Sequence, residues 1–267
     1  GALVVRAVRS PHDHAAFRFG DLAAFAARPG VVAVLTAADI PGRNAFGAIP
    51  PFADQPAIAA SPARFRGECV ALVAFEPGAA ADLSGFPVTW ETLPALMSPA
   101  AAEAAEAPAI HANRPGNRLI EGKVARGDVA SALAASAHVV SGAMETGFVE
   151  HAYIEPEAGA AWMEGEVLAI RACTQAPVMD RDETAVVLGL PPDRLRIIPA
   201  ATGGGFGSKL DVSLQPLLGL VTLKTGRPCR MTYSRAESMA STTKRQPAER
   251  HVRIGCDVSA PYYGQAP

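Results

Sequence analysis

The stretch Leu195-Arg196-Ile197-Ile198-Pro199-Ala200-Ala201-Thr202-Gly203-Gly204-Gly205-Phe206-Gly207-Ser208-Lys209 decides how the chain is read. Residues 195–198 read as a strand, because branched apolar side chains dominate them. The strand runs into three successive glycines. Beyond the loop, Leu214, Leu217, Leu218 and Val221 fall on one face of a helix, with Ser213 as its expected N-cap and Gly226 ending it. Pro216 falls in the first turn, where a missing N–H costs nothing. A strand, a glycine loop and a helix in succession leave backbone N–H groups uncovered by side chains. They also permit positive φ and bring the positive end of a helix close by. Such a loop suits an anionic or oxo-rich ligand. A glycine turn made only for packing is the alternative.

Two nucleotide motifs fail on the count. A phosphate-binding P-loop needs glycine, four residues, then Gly-Lys-Ser or Gly-Lys-Thr. From Gly203 the second glycine position is Ser208, and the residue after Lys209 is Leu210. A dinucleotide fingerprint begun at Gly203 ends on Ser208, and one begun at Gly205 ends on Leu210.

Outward from the loop, residues 177–188 read as a helix closed by Gly189, with Pro191-Pro192 beyond it, and residues 167–173 and 139–144 as strands. Residues 129–137 form a short helix. Residues 98–122 are rich in alanine, glutamate and proline and then in turn residues, so they read as a surface connection. Before them, strands are expected at 3–8, 31–36, 69–75 and from 88, and a short helix at 21–27. Residues 257–267 carry no periodicity, as if the chain were cut there or residues were missing before them.

The bulk numbers exclude several classes. With 267 residues, 49% of them hydrophobic, the chain can build a sizeable core. A net charge of -2 does not point to nucleic acid or an anionic membrane surface. No apolar run approaches the ~20 residues of a membrane helix, and no Sec-type leader is visible at residues 1–10. The four cysteines, Cys69, Cys173, Cys229 and Cys256, stand singly, which excludes a ferredoxin-type cluster run and suits a reducing cytoplasm. His12 and His14 alternate but have no third ligand nearby, so a zinc or copper site is not expected.

Single motifs here are weak, but their order is specific. Arg9-Ser10-Pro11-His12-Asp13-His14-Ala15, Pro29-Gly30-Val31, Trp90-Glu91-Thr92-Leu93-Pro94, Glu150-His151-Ala152-Tyr153-Ile154-Glu155-Pro156, Thr174-Gln175-Ala176-Pro177, the glycine loop, Thr225-Gly226-Arg227-Pro228 and Tyr233-Ser234-Arg235-Ala236-Glu237 follow one another along the chain. Together they resemble the molybdenum-binding large subunit of the xanthine dehydrogenase and aldehyde oxidase family, the molybdenum hydroxylases. The resemblance implies an α+β chain: a hammerhead-like α/β domain at 1–97, a linker at 98–122, and the first part of a molybdopterin-binding domain at 123–267.

The resemblance also implies a cofactor, a molybdenum-carrying molybdopterin, with its cytosine dinucleotide as one form it can take, to which the protein gives no direct metal ligand. It places Gln175 beside a molybdenum oxo group, Phe206 and Gly207 against the metal centre, and the N–H groups of Gly204 and Gly205 on the cofactor. Hydroxylation with oxygen from water is the implied reaction. Its general base, a glutamate near the end of the full subunit, is expected outside this chain, so no catalytic residue is assigned here and the chain alone is expected to be inactive. Glu155 and Glu157 belong to a motif that is structural in the family. Leu210 stands where purine-oxidising members often carry a glutamate, and Ser208 where many carry glycine, so both argue against xanthine as substrate. The expected partners are the remainder of the molybdenum-binding subunit, a two-cluster iron–sulfur subunit and an FAD subunit, with no nucleic acid and no membrane. A non-catalytic half-subunit or assembly scaffold is the rival reading, and a nucleotide-binding enzyme a more distant one.

Overall fold

A computed structural model gives the fold and describes residues 1–257. In chain order the elements are β1 (Leu3–Arg9), β2 (Ala15–Phe19), α1 (Leu22–Ala26), β3 (Val31–Thr36), β4 (Cys69–Phe75), β5 (Val88–Thr92), α2 (Pro99–Glu103), α3 (Val129–Ala135), β6 (His138–Thr146), β7 (Ala158–Glu164), β8 (Val167–Ala172), α4 (Pro177–Leu188), β9 (Leu195–Pro199), α5 (Gln215–Thr225), β10 (Cys229–Thr232), α6 (Arg235–Ser241) and β11 (Ala248–Cys256). The class is α+β, as expected.

Seven strands form one mixed sheet in the order β3-β4-β1-β10-β7-β8-β9. β4 lies inside it, and all seven of its residues are buried. Its unbroken run Cys-Val-Ala-Leu-Val-Ala-Phe has the pattern of a strand covered on both faces. On one face Leu3, Val5, Leu72, Leu168 and Ile170 pack with Leu188 of α4 and Leu218 of α5. On the other, Val70, Val73 and Phe75 pack with Phe17 of β2 and Phe25 of α1. α5 is apolar on nearly every side, and its residues Gln215 to Thr222 are all buried. Gly219 lets it approach α4, since a Cβ there would lie 2.5 Å from Leu188 Cδ1 and 3.1 Å from Leu168 Cδ2.

The end of α4 is closed from a distance. Gly189 takes the left-handed conformation, as its sequence position implied. The backbone N–H groups of Gly42 and Arg43 then donate to the carbonyls of Val187 (3.1 Å) and Val186 (3.0 Å), and the Val186 carbonyl also accepts from the Gly189 N–H at 3.4 Å.

The chain divides into two compact units, one made of residues 1–117 and 151–243, the other of 118–150 and the described residues from 244 on. The large sheet takes strands from both sides of residues 97–122. The second unit holds an antiparallel ribbon, β6 with β11, registered from Thr146 opposite Ala248 to His138 opposite Cys256. It also holds α3, capped by Asp128, whose side chain accepts from the Ser131 N–H.

Some local expectations need correction. α5 begins at Gln215, and Leu214 rather than Ser213 precedes it. The Ser213 N–H instead donates to the Gln215 side-chain oxygen at 2.8 Å. The expected connection at 98–122 contains α2, with Ser98 as N-cap and Pro99 in its first turn. Of the unpatterned end at 257–267, residues 258–267 lie outside the described residues.

Candidate functional site

The glycine loop follows β9, and the Thr174-Gln175 turn follows β8, its parallel neighbour in the sheet. The two segments therefore leave the sheet side by side. The Gln175 N–H donates to the Lys209 carbonyl at 2.9 Å. In return, Gln175 Oε1 accepts from the N–H groups of Gly207 (3.0 Å) and Lys209 (3.3 Å). Two donors on one oxygen fix which way the amide points, so Nε2 faces outward. Among the described residues, no hydrogen bond is made by Gln175 Nε2 or by the N–H groups of Gly204, Gly205 and Phe206.

Glycine is required by geometry at two positions of this loop. A Cβ on Gly205 would fall far inside contact distance of Gln175 Oε1 and 2.7 Å from Cδ. Gly204, at φ +100°, lies against Tyr153, with its Cβ position 3.0 Å from that of the tyrosine. Gly207 has φ +99°, and its Cβ position approaches only His151 Nε2, at 4.0 Å. Between them Phe206 has φ 52°, an uncommon conformation for a bulky residue, and its side chain is 74% exposed. Leu210 is partly exposed beyond Lys209, and the buried Ser208 donates its hydroxyl proton to the Thr243 carbonyl at 2.9 Å. Gln175, Gly204, Gly205, Phe206 and Gly207 are thus brought together.

The donor set fits an oxo-rich, anionic group. It consists of three backbone N–H groups with no protein partner among the described residues and a side-chain amide NH₂, on a loop whose glycines carry no side chain. Among the described residues no group of His, Cys, Asp or Glu is arranged to hold a metal ion.

Behind the turn lies a carboxylate cluster. Asp180 is fully buried on α4, and its Oδ2 accepts from Gln215 Nε2 at 2.8 Å. Burial first, and the nearby Asp211 charge second, push its pKa up to about 6. Glu183, one turn further on, is pushed up to about 7 by burial and then by Asp211 and Asp180. Burial also raises Asp211. These carboxyls ionise less readily in the fold than in the unfolded chain, so the folded state holds their protons more tightly. The stability they contribute is complete below their ordinary range, near 4, and is lost as pH rises toward about 6 for Asp180 and about 7 for Glu183. The melting temperature is therefore expected to fall between about pH 4 and about pH 7, and Glu183→Gln is expected to flatten that slope. An equal slope in both proteins would reject the assignment.

Sequence reasoning did not find the buried ion pair beneath the loop. Lys209 Nζ is 2.9 Å from Glu155 Oε2, and the lysine side chain is only 2% exposed. The available signal was a lysine embedded among glycine and apolar residues, which needs a partner when buried.

A strand and glycine loop beside a parallel strand and amide turn define a molybdopterin-binding chain when set against known proteins. A family model described as the molybdopterin cofactor-binding domain matches residues 110–260, and one described as the aldehyde oxidase and xanthine dehydrogenase a/b hammerhead domain matches residues 1–94. The chain belongs to the aldehyde oxidase and xanthine dehydrogenase family of molybdenum oxidoreductases. It is 36% identical to the nicotinate dehydrogenase large molybdopterin subunit of Eubacterium barkeri, over 92% of this chain and 58% of that protein. It is 33% identical to a probable xanthine dehydrogenase subunit from Bacillus subtilis (strain 168), over 97% of this chain and 35% of that protein. The aldehyde oxidoreductase from Desulfovibrio gigas superposes with a TM-score of 0.86 at 27% identity, covering 96% of this chain and 29% of that one. The chain thus spans little more than half, and mostly about a third, of these relatives' length. No helix among the described residues is long and apolar enough to cross a membrane.

Proposed function

We propose that Gln175 and the glycine loop form one wall of the cofactor site of a hydroxylase that oxidises an N-heteroaromatic compound or an aldehyde with oxygen from water. The observation that carries this reading is the orientation of Gln175: two loop N–H groups hold its oxygen and leave Nε2 to donate outward. On this reading Gln175 Nε2 and the N–H groups of Gly204 and Gly205 bond the cofactor's anionic and oxo atoms, and Phe206 with Gly207 closes the wall against it. When bound, the molybdenum molybdopterin, in its cytosine dinucleotide form, supplies the two-electron acceptor. This wall contributes donors that need no reorganisation, and such donors favour charge that grows during reaction. The remainder of the molybdenum-binding subunit completes the cradle and brings the general-base glutamate. An iron–sulfur subunit with two clusters and an FAD subunit carry the electrons away, in the cytoplasm. The segments 1–97, 98–122 and 123–267 stand on this reading as hammerhead, linker and first part of the cofactor domain.

Leu210 sets the substrate class. An apolar wall cannot pair a polar purine edge, and each buried group left unpaired costs about 1–3 kcal/mol. The complete enzyme is expected to favour nicotinate or an aromatic aldehyde over xanthine in kcat/KM, and Leu210→Glu is expected to narrow the gap. Steady-state kinetics on the three compounds, normalised to molybdenum content, tests this. Highest kcat/KM for xanthine in the unsubstituted enzyme rejects the role of Leu210.

A further inference from the structure

The loop that carries Phe206 is closed at both ends by one oxygen atom. Glu155 Oε2 accepts from the Gly203 N–H at 2.7 Å and from Lys209 Nζ at 2.9 Å. Lys209 Nζ also donates to the Glu155 backbone carbonyl at 3.0 Å and lies 4.4 Å from the centre of the Tyr153 ring. The Glu155 N–H returns a bond to the Gly203 carbonyl at 3.3 Å, and a Cβ on Gly203 would sit 2.7 Å from that of Glu155. Tyr153 in turn bonds Glu157 through its hydroxyl. The segment 153–157 is therefore a floor to which the first and last residues of the loop are fastened.

What lies between those fastenings needs restraint. Gly204, Phe206 and Gly207 all have positive φ, and Phe206 pays for its conformation without burying its ring. Such backbone persists only where the surroundings over-determine it. The interior of the loop meets Gln175 on one side, and the N–H groups of Gly204, Gly205 and Phe206 meet no protein partner among the described residues. The Glu155 carboxylate is the element that joins the two ends, and charge-assisted bonds of this kind are the stronger ones.

We propose that Glu155 is the positioning residue of the glycine loop: by holding Gly203 and Lys209 on one carboxylate oxygen it fixes Phe206 and spaces the unpartnered N–H groups of Gly204, Gly205 and Phe206 relative to Gln175. Its bonds go to the two ends of the loop, and it acts through them. The part of this inference that concerns cofactor retention rests on the proposed function of the loop. The part that concerns loop order does not.

The two parts separate in one experiment on the assembled, cofactor-loaded enzyme. Amide hydrogen exchange is followed over residues 203–209 and, as an internal reference, over β4. Molybdenum retained after dilution and gel filtration is measured in the same samples. Glu155→Ala is expected to speed exchange in the loop roughly 10- to 100-fold with β4 unchanged, the range for loss of a charge-assisted bond. Molybdenum loss is expected to accelerate with it. Glu155→Gln keeps an acceptor for the Gly203 N–H, so it is expected to restore most of the protection near Gly203 and less near Lys209. If Glu155→Ala leaves too little folded protein, Glu155→Gln/Lys209→Met removes both charges of the pair and is expected to show faster loop exchange at an unchanged β4. Unaltered loop exchange in these variants overturns the proposal. Faster loop exchange with molybdenum fully retained leaves Glu155 as the loop's fastening and overturns the cofactor reading of the loop.

Discussion

Gln175→Ala in the assembled enzyme is expected to lower turnover per molybdenum roughly 30- to 1,000-fold, equivalent to about 2–4 kcal/mol, the range for removing one preorganised donor from a site of developing charge. The native side chain has two duties that can be separated. Its Oε1 holds the N–H groups of Gly207 and Lys209, and its Nε2 is the outward donor. Alanine removes both. Gln175→Glu keeps an acceptor for the two N–H groups but offers no amide donor. If the donor is what matters, both variants lose turnover while melting temperature and circular dichroism stay near those of the unsubstituted protein. Wild-type turnover in Gln175→Glu, with cofactor fully loaded, rejects the donor role and leaves Gln175 as a purely structural fastening.

The largest expected loss of stability lies away from the site, at Gly42. A Cβ there would fall far inside contact distance of the Val186 carbonyl oxygen, at 2.5 Å from the Gly189 nitrogen and at 2.8 Å from the Val187 oxygen. All three neighbours are backbone and cannot rotate away. Gly42→Ala must therefore lift residues 42 and 43 off the end of α4, leaving the Val187 carbonyl without its donor and the Val186 carbonyl with only the Gly189 N–H. A cost of about 2–5 kcal/mol follows. For a chain of this size that lowers the melting temperature by roughly 5–15 °C. Gly122→Ala, where the added methyl meets open space, is the control and is expected to change little. Equal melting temperatures for the two variants would show that the Gly42 turn is not held against α4.

The extent to which the sequence announced this arrangement depends on how local each signal is. β3 and β4 were legible to the residue, because continuous apolar runs between turn residues need no tertiary information. α4 was equally plain, with proline at its start and glycine at its end. β7 and β10 were not recognised. β10 has four residues, and its two buried ones, Cys229 and Met231, become a strand only because β1 and β7 flank it. α6 was missed although Ser234 and Glu237 form a reciprocal capping box. At the site, the glycines and Gln175 declared themselves through motif order. Glu155 did not, since its bonds reach to positions 203 and 209 and only the folded chain brings them together.

The place of β1 in the sheet has a consequence for how the protein is made. On one side β1 pairs with β4, close behind it in the chain, but on the other Leu3 pairs in parallel with Cys229. At about 5–20 residues per second, synthesis of the intervening chain leaves the open edge of β1 bare for roughly ten to fifty seconds. Throughout that interval the nascent chain presents unpaired N–H and C=O groups beside the apolar Leu3 and Val5, the kind of edge that recruits other chains. Yield in the cell should accordingly depend on holdase chaperones at the ribosome, and on how quickly translation reaches β10.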